Sequence, residues 1–441
     1  MRCSTRRRPV NKPILIENAR IVDPATNTDF KGALLIEGGR IADMAEGEAP
    51  GAPEKSQRID AKGMVLAPGL IDMRVFTGEP GHEHRETLKS AGRAAAAGGV
   101  TSIVVMPDTQ PVIDDGALVE FIARHAQAVS GVNVLPSAAI TKGIEGKDLT
   151  EFGLLKEAGA VCFTEGRKSL QSAAVMRSAM VYATNFDMPI VHLPAEANLV
   201  SDGVMNAGPL ATFRGLKGIS AEAETIPLDR DLQLALATGA RYHAAAISTA
   251  RAAELGAFYK QRSKAISVGV SINNLCLNEN DIGSYRTFFK LNPPLRTEDD
   301  RMALVEALKA GVIDVIVSDH DPQDSEGKRQ PFADAATGAI GLETLLSAAL
   351  RLVHSGDVDL MTVLRAMTAR PAEILGLQAG RIAKGAKADL CLFDPDYPWV
   401  VEEARLRSRS TNTTFENARM TGKVMATLVG GNIVHREEGF A

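Results

Sequence analysis

An alternation of apolar strand-like runs with helical stretches is the strongest constraint on how this chain folds. Short runs rich in Val and Ile recur around 69–76, then in "VTSIVVM" (100–106), "VNVLPSA" (132–138) and "AVCFT" (160–164). They continue with "PIVHL" (189–193), "ARYHAAAI" (240–247), "AISVGVS" (265–271) and "DVIVSD" (314–319). Between most of them lie Ala-, Leu- and Glu-rich stretches of helical periodicity, at 85–97, 116–128, 169–183, 221–238, 249–262 and 300–310. Parallel strands need a crossover, usually a helix, so this alternation predicts a parallel sheet. Eight such strands fit a (β/α)8 TIM barrel better than an open doubly wound sheet, and no G-x-G-x-x-G follows the first strand.

The two ends read differently. "ILIENARIVDPATNTDFKGALLIEGGRIADMAE" alternates apolar and polar residues and breaks at Pro24 and at Gly38-Gly39. "ADLCLFDP" and "KVMATLVGGNIVHR" repeat that style near the far end, again with a Gly-Gly turn. The expectation is an α/β chain: a barrel over 68–378 and a small β-sandwich domain assembled from both termini, 13–67 and 379–438. A net charge of −5 argues against a nucleic-acid partner, since Arg6 to Arg8 is the only basic run. Four widely spaced cysteines (Cys3, Cys162, Cys276, Cys391) without a C-x-x-C suit free thiols in a reducing compartment. With no apolar leader after "MRCSTRRRPVNK" and no membrane-length segment, a cytoplasmic, soluble protein is expected.

In a barrel the chemistry belongs at the C-terminal strand ends. Strand one ends in "GLIDMRVFTGEPG", where period-two spacing puts Arg74 and Phe76 on one side, pointing into the mouth. Neither can ligate a metal, because guanidinium is always protonated and a phenyl ring has no donor atom. His82 and His84 follow Pro80-Gly81 and read as loop residues, with metal binding as the lesser alternative. Strand two delivers Asp108, strand four Glu165 and strand five His192, each of which reads alone as a turn, cap or structural residue. Strand six carries His243 inside the strand and Ala246 at the mouth. Strand eight ends in "VSDHDP", so Asp319 and His320 adjoin at a buried strand end, a pairing suited to metal or proton chemistry. A catalytic zinc normally needs three protein ligands; His192, Asp319 and Glu165 are the set on offer.

Several longer segments carry a resemblance: "LAPGLIDM", "GGVTSIVVMPDTQPVID", "AETIPLDRDLQLA", "LNPPLRTEDDR", "PFADAATGAIGLET" and "TTFENARMTGKVMATLVGGNIV". In content and order they resemble the dihydroorotase family of the amidohydrolase superfamily over nearly the whole chain. The resemblance implies one or two zinc ions held by a strand-one H-x-H, a strand-four carboxylate or modified lysine, histidines on strands five and six, and a strand-eight Asp. That metal site would activate water against a cyclic amide, with the Asp moving the proton. Carried over, His192 fits the strand-five ligand, Glu165 stands near the strand-four carboxylate, and Asp319 fits the strand-eight acid. Arg74, Phe76 and Ala246 replace three imidazoles. Gly78 stands where the family's substrate-gripping Arg would be, Asp108 replaces a substrate-binding Asn with a charge expected to repel anions, and "DHAPH" has become "DHDPQ", adding Asp321 and losing a His at Gln323.

Losing three imidazole ligands removes high-affinity metal binding, because ligand type and number set affinity. Arg74 is expected to replace the metal as a cation, pairing Asp319 or Glu165. The expected residual site is Asp319 for proton transfer, Arg74, Asp108 and His320 around the pocket, and a vestigial His192–Asp319–Glu165 metal set. Two functions compete. One is a catalytically degenerate family member, without cofactor, that assembles with aspartate carbamoyltransferase in pyrimidine biosynthesis and forms homo-oligomers. The other is a working cyclic-amide hydrolase acting on dihydroorotate, a hydantoin or allantoin, either with one zinc on His192, Asp319 and Glu165 or metal-free with Asp319 and His320 as acid and base. Binding of dihydroorotate or carbamoyl aspartate without turnover is a weaker third possibility.

Overall fold

The computed structural model describes residues 12–47 and 49–440. Arg6 to Arg8 and Cys3 lie outside the described residues. Strands from the two ends of the chain hydrogen-bond as one eight-stranded sheet. The N-terminal part supplies Ile14–Asp23, Thr28–Glu37, Arg40–Glu46, Gln57–Asp60 and Val65–Pro68; the C-terminal part supplies Leu390–Val400, Arg419–Val429 and Asn432–Arg436. They join where Leu390–Phe393 runs antiparallel to Val65–Pro68, pairing Leu392 with Leu66. Alternation buries Ile14, Ile16, Leu34, Leu66, Leu390 and Leu392 in one shared apolar cluster. Gly38-Gly39 and Gly430-Gly431 make the hairpin turns with positive φ, as two-residue turns require. A Cβ on Gly39 would lie 2.7 Å from the Gly430 carbonyl oxygen, so the two turns pack against each other and only glycine fits there.

Between these ends the eight apolar runs form the parallel barrel. Its strands are Leu70–Val75, Val100–Val105, Asn133–Pro136, the bridge at Phe163 within 160–164, Ile190–His192, Tyr242–Ile247, Ile266–Ser271 and Val315–Val317. Phe163 bridges to Ala138 on one side and to Ile190 on the other, which makes the fourth strand continuous with its neighbours. Closure comes from the bridge between Val75 and His320, where the Phe76 N–H donates to the His320 carbonyl at 2.8 Å. Ile71, Met73, Val104, Cys162, Val191, Ala245, Val315 and Val317 fill the interior. The surrounding helices start on side-chain caps: Asp115 accepts from Ala117 N–H, and Thr249, Thr297 and Asp359 do the same for their helices.

One irregularity positions the mouth. Ile71 and Met73 face the interior, whereas Val75 packs outward among the helices. Strict alternation from Met73 would send Val75 inward and Arg74 outward. The pairing with the second strand shifts register between Asp72 and Val75, and this reverses the phase, so Arg74 faces the mouth. The fully buried Asp72 carboxylate pins the shift by accepting from Arg74 N–H at 3.1 Å and Ser318 N–H at 3.1 Å. Among the described residues no helix is long and apolar enough to cross a membrane.

Candidate functional site

The mouth is built from ion pairs. Arg74 is 4% exposed; its Nε donates to Asp319 Oδ1 at 2.7 Å and its Nη1 to the Gly166 carbonyl at 3.0 Å. One guanidinium thus ties the end of strand one to strand eight and to the end of strand four. Asp319 reaches this position from a left-handed backbone, φ 54°. Burial pushes its carboxyl above the usual range, and Arg74 opposes that shift. Its Oδ1 is occupied by the Arg74 guanidinium, which ties this carboxylate up in an ion pair.

A second cluster surrounds Phe76. Arg167 Nε donates to Asp108 Oδ2 at 2.6 Å and Nη1 to Asp321 Oδ1 at 2.8 Å. Arg85 Nη2 reaches the same Asp321 oxygen at 2.7 Å. Both guanidiniums lie against the Phe76 ring, with Arg167 3.9 Å and Arg85 4.5 Å from its centroid. An aromatic face attracts cations by about 0.5–2 kcal/mol each, so a ring suits this position better than an aliphatic side chain. Burial works against the Arg167 charge, but Asp321 and Asp108 more than offset it and hold the group above the ordinary arginine value. Arg74 and Arg167 thus face Asp108, Asp319 and Asp321 around a cavity of about 270 Å³, whose rim adds Lys168, Asn292 and Thr337, while Arg85 reaches Asp321 from outside that lining. Asp108 does not present a bare negative charge to an incoming anion, as the sequence suggested, because Arg167 neutralises it.

The expected metal set does not converge. His192 is fully buried, and both its ring nitrogens are engaged: Nδ1 with Asp231 Oδ2 at 2.7 Å, and Nε2 as acceptor from Leu170 N–H at 2.7 Å. The lone pair a metal would use is therefore taken. Ser169 Oγ lies 3.3 Å from the same Nε2, giving a Ser169–His192–Asp231 chain that resembles a nucleophile, base and orienter. The Leu170 N–H occupies the base, so Ser169 is not activated. Glu165 Oε1 accepts from Thr141 N–H and Oγ1 at 3.0 and 2.7 Å, while its buried Oε2 has no partner. Burial pushes this carboxyl up to about 7, against the Thr141 hydrogen bonds.

His320 is not a pocket residue either. It is fully buried, its Nδ1 accepts from Gly341 N–H at 3.2 Å, and its Nε2 faces Glu86 at 3.4 Å. His82 packs near Phe76, and the exposed His84 faces Asp324 at 3.6 Å. His243 is buried against Ser267, and Ala246 holds the strand-six position without a donor atom. Among the described residues no group of three or more His, Cys, Asp or Glu side chains is placed to hold a metal. The donor set does not fit the zinc that the resemblance implies. A guanidinium ~4 Å from a divalent cation would repel it by about 8 kcal/mol at an effective dielectric of ~20. Arg85, Arg167, Asp72 and Asp231 escaped the sequence reading. A usable signal existed: Asp108, Asp319 and Asp321 converging on one mouth require cations, and "HEHRE" and "EGRKS" supply them.

A parallel barrel with charged strand ends and an appended sheet from both termini is the architecture of the amidohydrolase type. The L-hydantoinase (dihydropyrimidinase) from Arthrobacter aurescens has the same fold, with a TM-score of 0.87 at 22% identity over 97% of both chains. A profile described as dihydro-orotase-like matches residues 63–252, and one of the amidohydrolase family matches 242–435. A dihydroorotase of Syntrophus aciditrophicus is 40% identical over 96% of this chain and 100% of its own length. One from Anaeromyxobacter dehalogenans is 38% identical over 96% and 98%. The chain belongs to the dihydroorotase family.

Proposed function

We propose that this chain is a dihydroorotase-family protein of pyrimidine biosynthesis that has lost metal-dependent ring hydrolysis and serves as a structural partner of aspartate carbamoyltransferase. The observation that carries this reading is the Arg74–Asp319 pair at 2.7 Å, which puts a fixed cation at the strand ends where the resemblance calls for a metal. Cyclic-amide hydrolysis of this type relies on metal-activated water, and here neither the ligands nor the charge favour an ion. The scaffold itself is intact at full family length, which is what an assembly role needs. Residence in the cytoplasm and homo-oligomerisation are part of the same reading. The test is zinc content and dihydroorotate turnover of the purified protein, followed by co-purification with aspartate carbamoyltransferase from the same cell. Near-stoichiometric zinc with turnover would overturn the degenerate reading, and failure to associate would overturn the partnership.

The second reading is an active cyclic amidohydrolase. It draws on relatives named dihydroorotase at about 40% identity and on the unpartnered Glu165 Oε2. It requires an ion on Glu165 and Asp319 that displaces Arg74, and zinc analysis of the same sample separates the two readings.

A further inference from the structure

Lys328 ends the short helix Ser325–Lys328 in the loop after strand eight. It is 4% exposed, and its Nζ donates to the Thr287 carbonyl at 3.0 Å and the Ala336 carbonyl at 2.7 Å. Among the described residues it forms no ion pair. The charged groups that act on it are Asp321 beyond strand eight, Lys290 at the C-cap of the 3-10 turn Thr287–Phe289, and Arg85 from the strand-one loop. Asp321 is already taken by Arg85 and Arg167. Lys290 gives its Nζ to the Ala333 carbonyl at 2.6 Å.

Two carbonyl acceptors match the two protons of a neutral amine and leave its lone pair free. An ammonium would hold a third proton without an acceptor, in a buried place with two cations nearby. Burial drives the group down to about 7; Asp321 opposes that shift, and Lys290 and Arg85 reinforce it. Beside it lies a cavity of about 550 Å³, whose wall carries the cationic groups Lys328, Arg329 and Arg409 and the carboxylates Asp324 and Glu403.

We propose that Lys328 is a nucleophilic amine that captures carbon dioxide as a carbamate directed into this cavity. The nitrogen lone pair bonds to the carbon of CO2, one carbon–oxygen π pair moves onto oxygen, and the amine releases one proton to water. Amine plus CO2 therefore gives the N-carboxylate and H⁺. Lys290 and Arg85, which disfavour an ammonium at this place, attract the anionic product, and the guanidinium of Arg329 or Arg409 on the wall is suited to its oxygens. This inference does not depend on whether the barrel mouth is catalytic.

The full-length protein is equilibrated with isotopically labelled bicarbonate near neutral pH, trapped with an alkylating oxonium reagent, and mapped by peptide mass spectrometry. An amine at about 7 is about half free base at neutral pH, against roughly four parts in ten thousand for an ordinary lysine at ~10.4. The free-amine fraction at Lys328 is then roughly a thousandfold above that of exposed lysines such as Lys168, so labelled carbamate is expected on Lys328 in large excess over them, with loss of the adduct in Lys328→Met. Trace acetylation across a pH series gives a second readout on the unmodified chain, with Lys328 half-reactive near neutral pH. Absence of carbamate at Lys328, or an acetylation profile like that of exposed lysines, would overturn the proposal.

Discussion

At the scale of single residues, the mouth is an exchange of ligand chemistry for charge chemistry. Arg74 and Asp319 are both nearly buried, and removing one partner leaves the other charge uncompensated. Arg74→Ala is expected to destabilise the fold by about 3–5 kcal/mol, read as a lowered denaturation midpoint. Arg74→Lys should recover only part of this, because one ammonium cannot reproduce the fork that reaches both Asp319 and the Gly166 carbonyl. An unchanged midpoint in Arg74→Ala would refute the charge-substitution account. Glu165 makes the pH prediction. Its folded value is raised from 4.5 to about 7, so between those values the folded chain holds a proton the unfolded chain has lost. Stability therefore declines as pH rises through that window, by about 3 kcal/mol from this group, and levels off above it. Glu165→Gln mimics the protonated acid and should flatten that slope in a pH series of unfolding curves. A bound metal would hold Glu165 ionised, so a wild-type slope of the opposite sign would support an occupied site. The need for a cation near Asp319 was legible in the sequence. The converging aspartates also signalled a need for Arg167 and Arg85, but not which carboxylate each meets, because loop residues follow no period that says where they point.

At the scale of elements, the apolar runs gave the barrel its strands in the expected places, and helices such as Gly116–Val129 and Glu222–Thr238 fall close to the predicted spans. The second of these tolerates Pro227 inside it. Periodicity did not reveal the register shift at Asp72–Val75, which depends on where a buried carboxylate finds two backbone donors. Nor could it reveal the fate of His192, since a backbone N–H from Leu170 takes its lone pair and turn geometry decides that. Close approach between elements was equally hidden. Gly98 caps the helix Leu88–Ala97, and a Cβ there would lie 1.9 Å from the Leu342 carbonyl oxygen, at a φ of −87° that any residue can adopt. The constraint is therefore packing rather than backbone conformation. Gly98→Ala should push that helix off the segment beyond strand eight and cost about 1–3 kcal/mol. Gly385→Ala has open space but a φ of 83°, so any loss there would report backbone strain alone. Equal stability of Gly98→Ala and the parent protein in a urea titration would show that Leu342 can give way.

At the scale of the whole molecule, the question is whether the fold still contains a latent metal site that a few substitutions would reopen. Restoring imidazoles by Arg74→His, Phe76→His and Ala246→His supplies three donors and frees Asp319. It leaves two obstacles that lie on other elements. His192 remains locked between Asp231 and the Leu170 N–H, and Arg167 remains at the mouth, bound to Asp108 and Asp321. Losing Arg74 also gives the carboxylates the excess of charge, which favours a cation, so the outcome weighs this gain against a missing ligand and a nearby guanidinium. A ligand present at about 100 times its dissociation constant stabilises a fold by about 2.7 kcal/mol. The triple variant is expected to show much less than this on adding micromolar zinc, and the parent protein none, with chelator leaving both midpoints unchanged. Adding Arg167→Met should raise zinc uptake by removing the repelling charge, although Asp108 and Asp321 then lose a counter-ion and the fold weakens. If the triple variant alone takes up stoichiometric zinc and gains several kcal/mol, the ion pairs of the mouth are a replaceable plug. If it does not, the departure from the metal-binding architecture extends into the strand-four loop and the helix that carries Asp231, well beyond the three lost histidines.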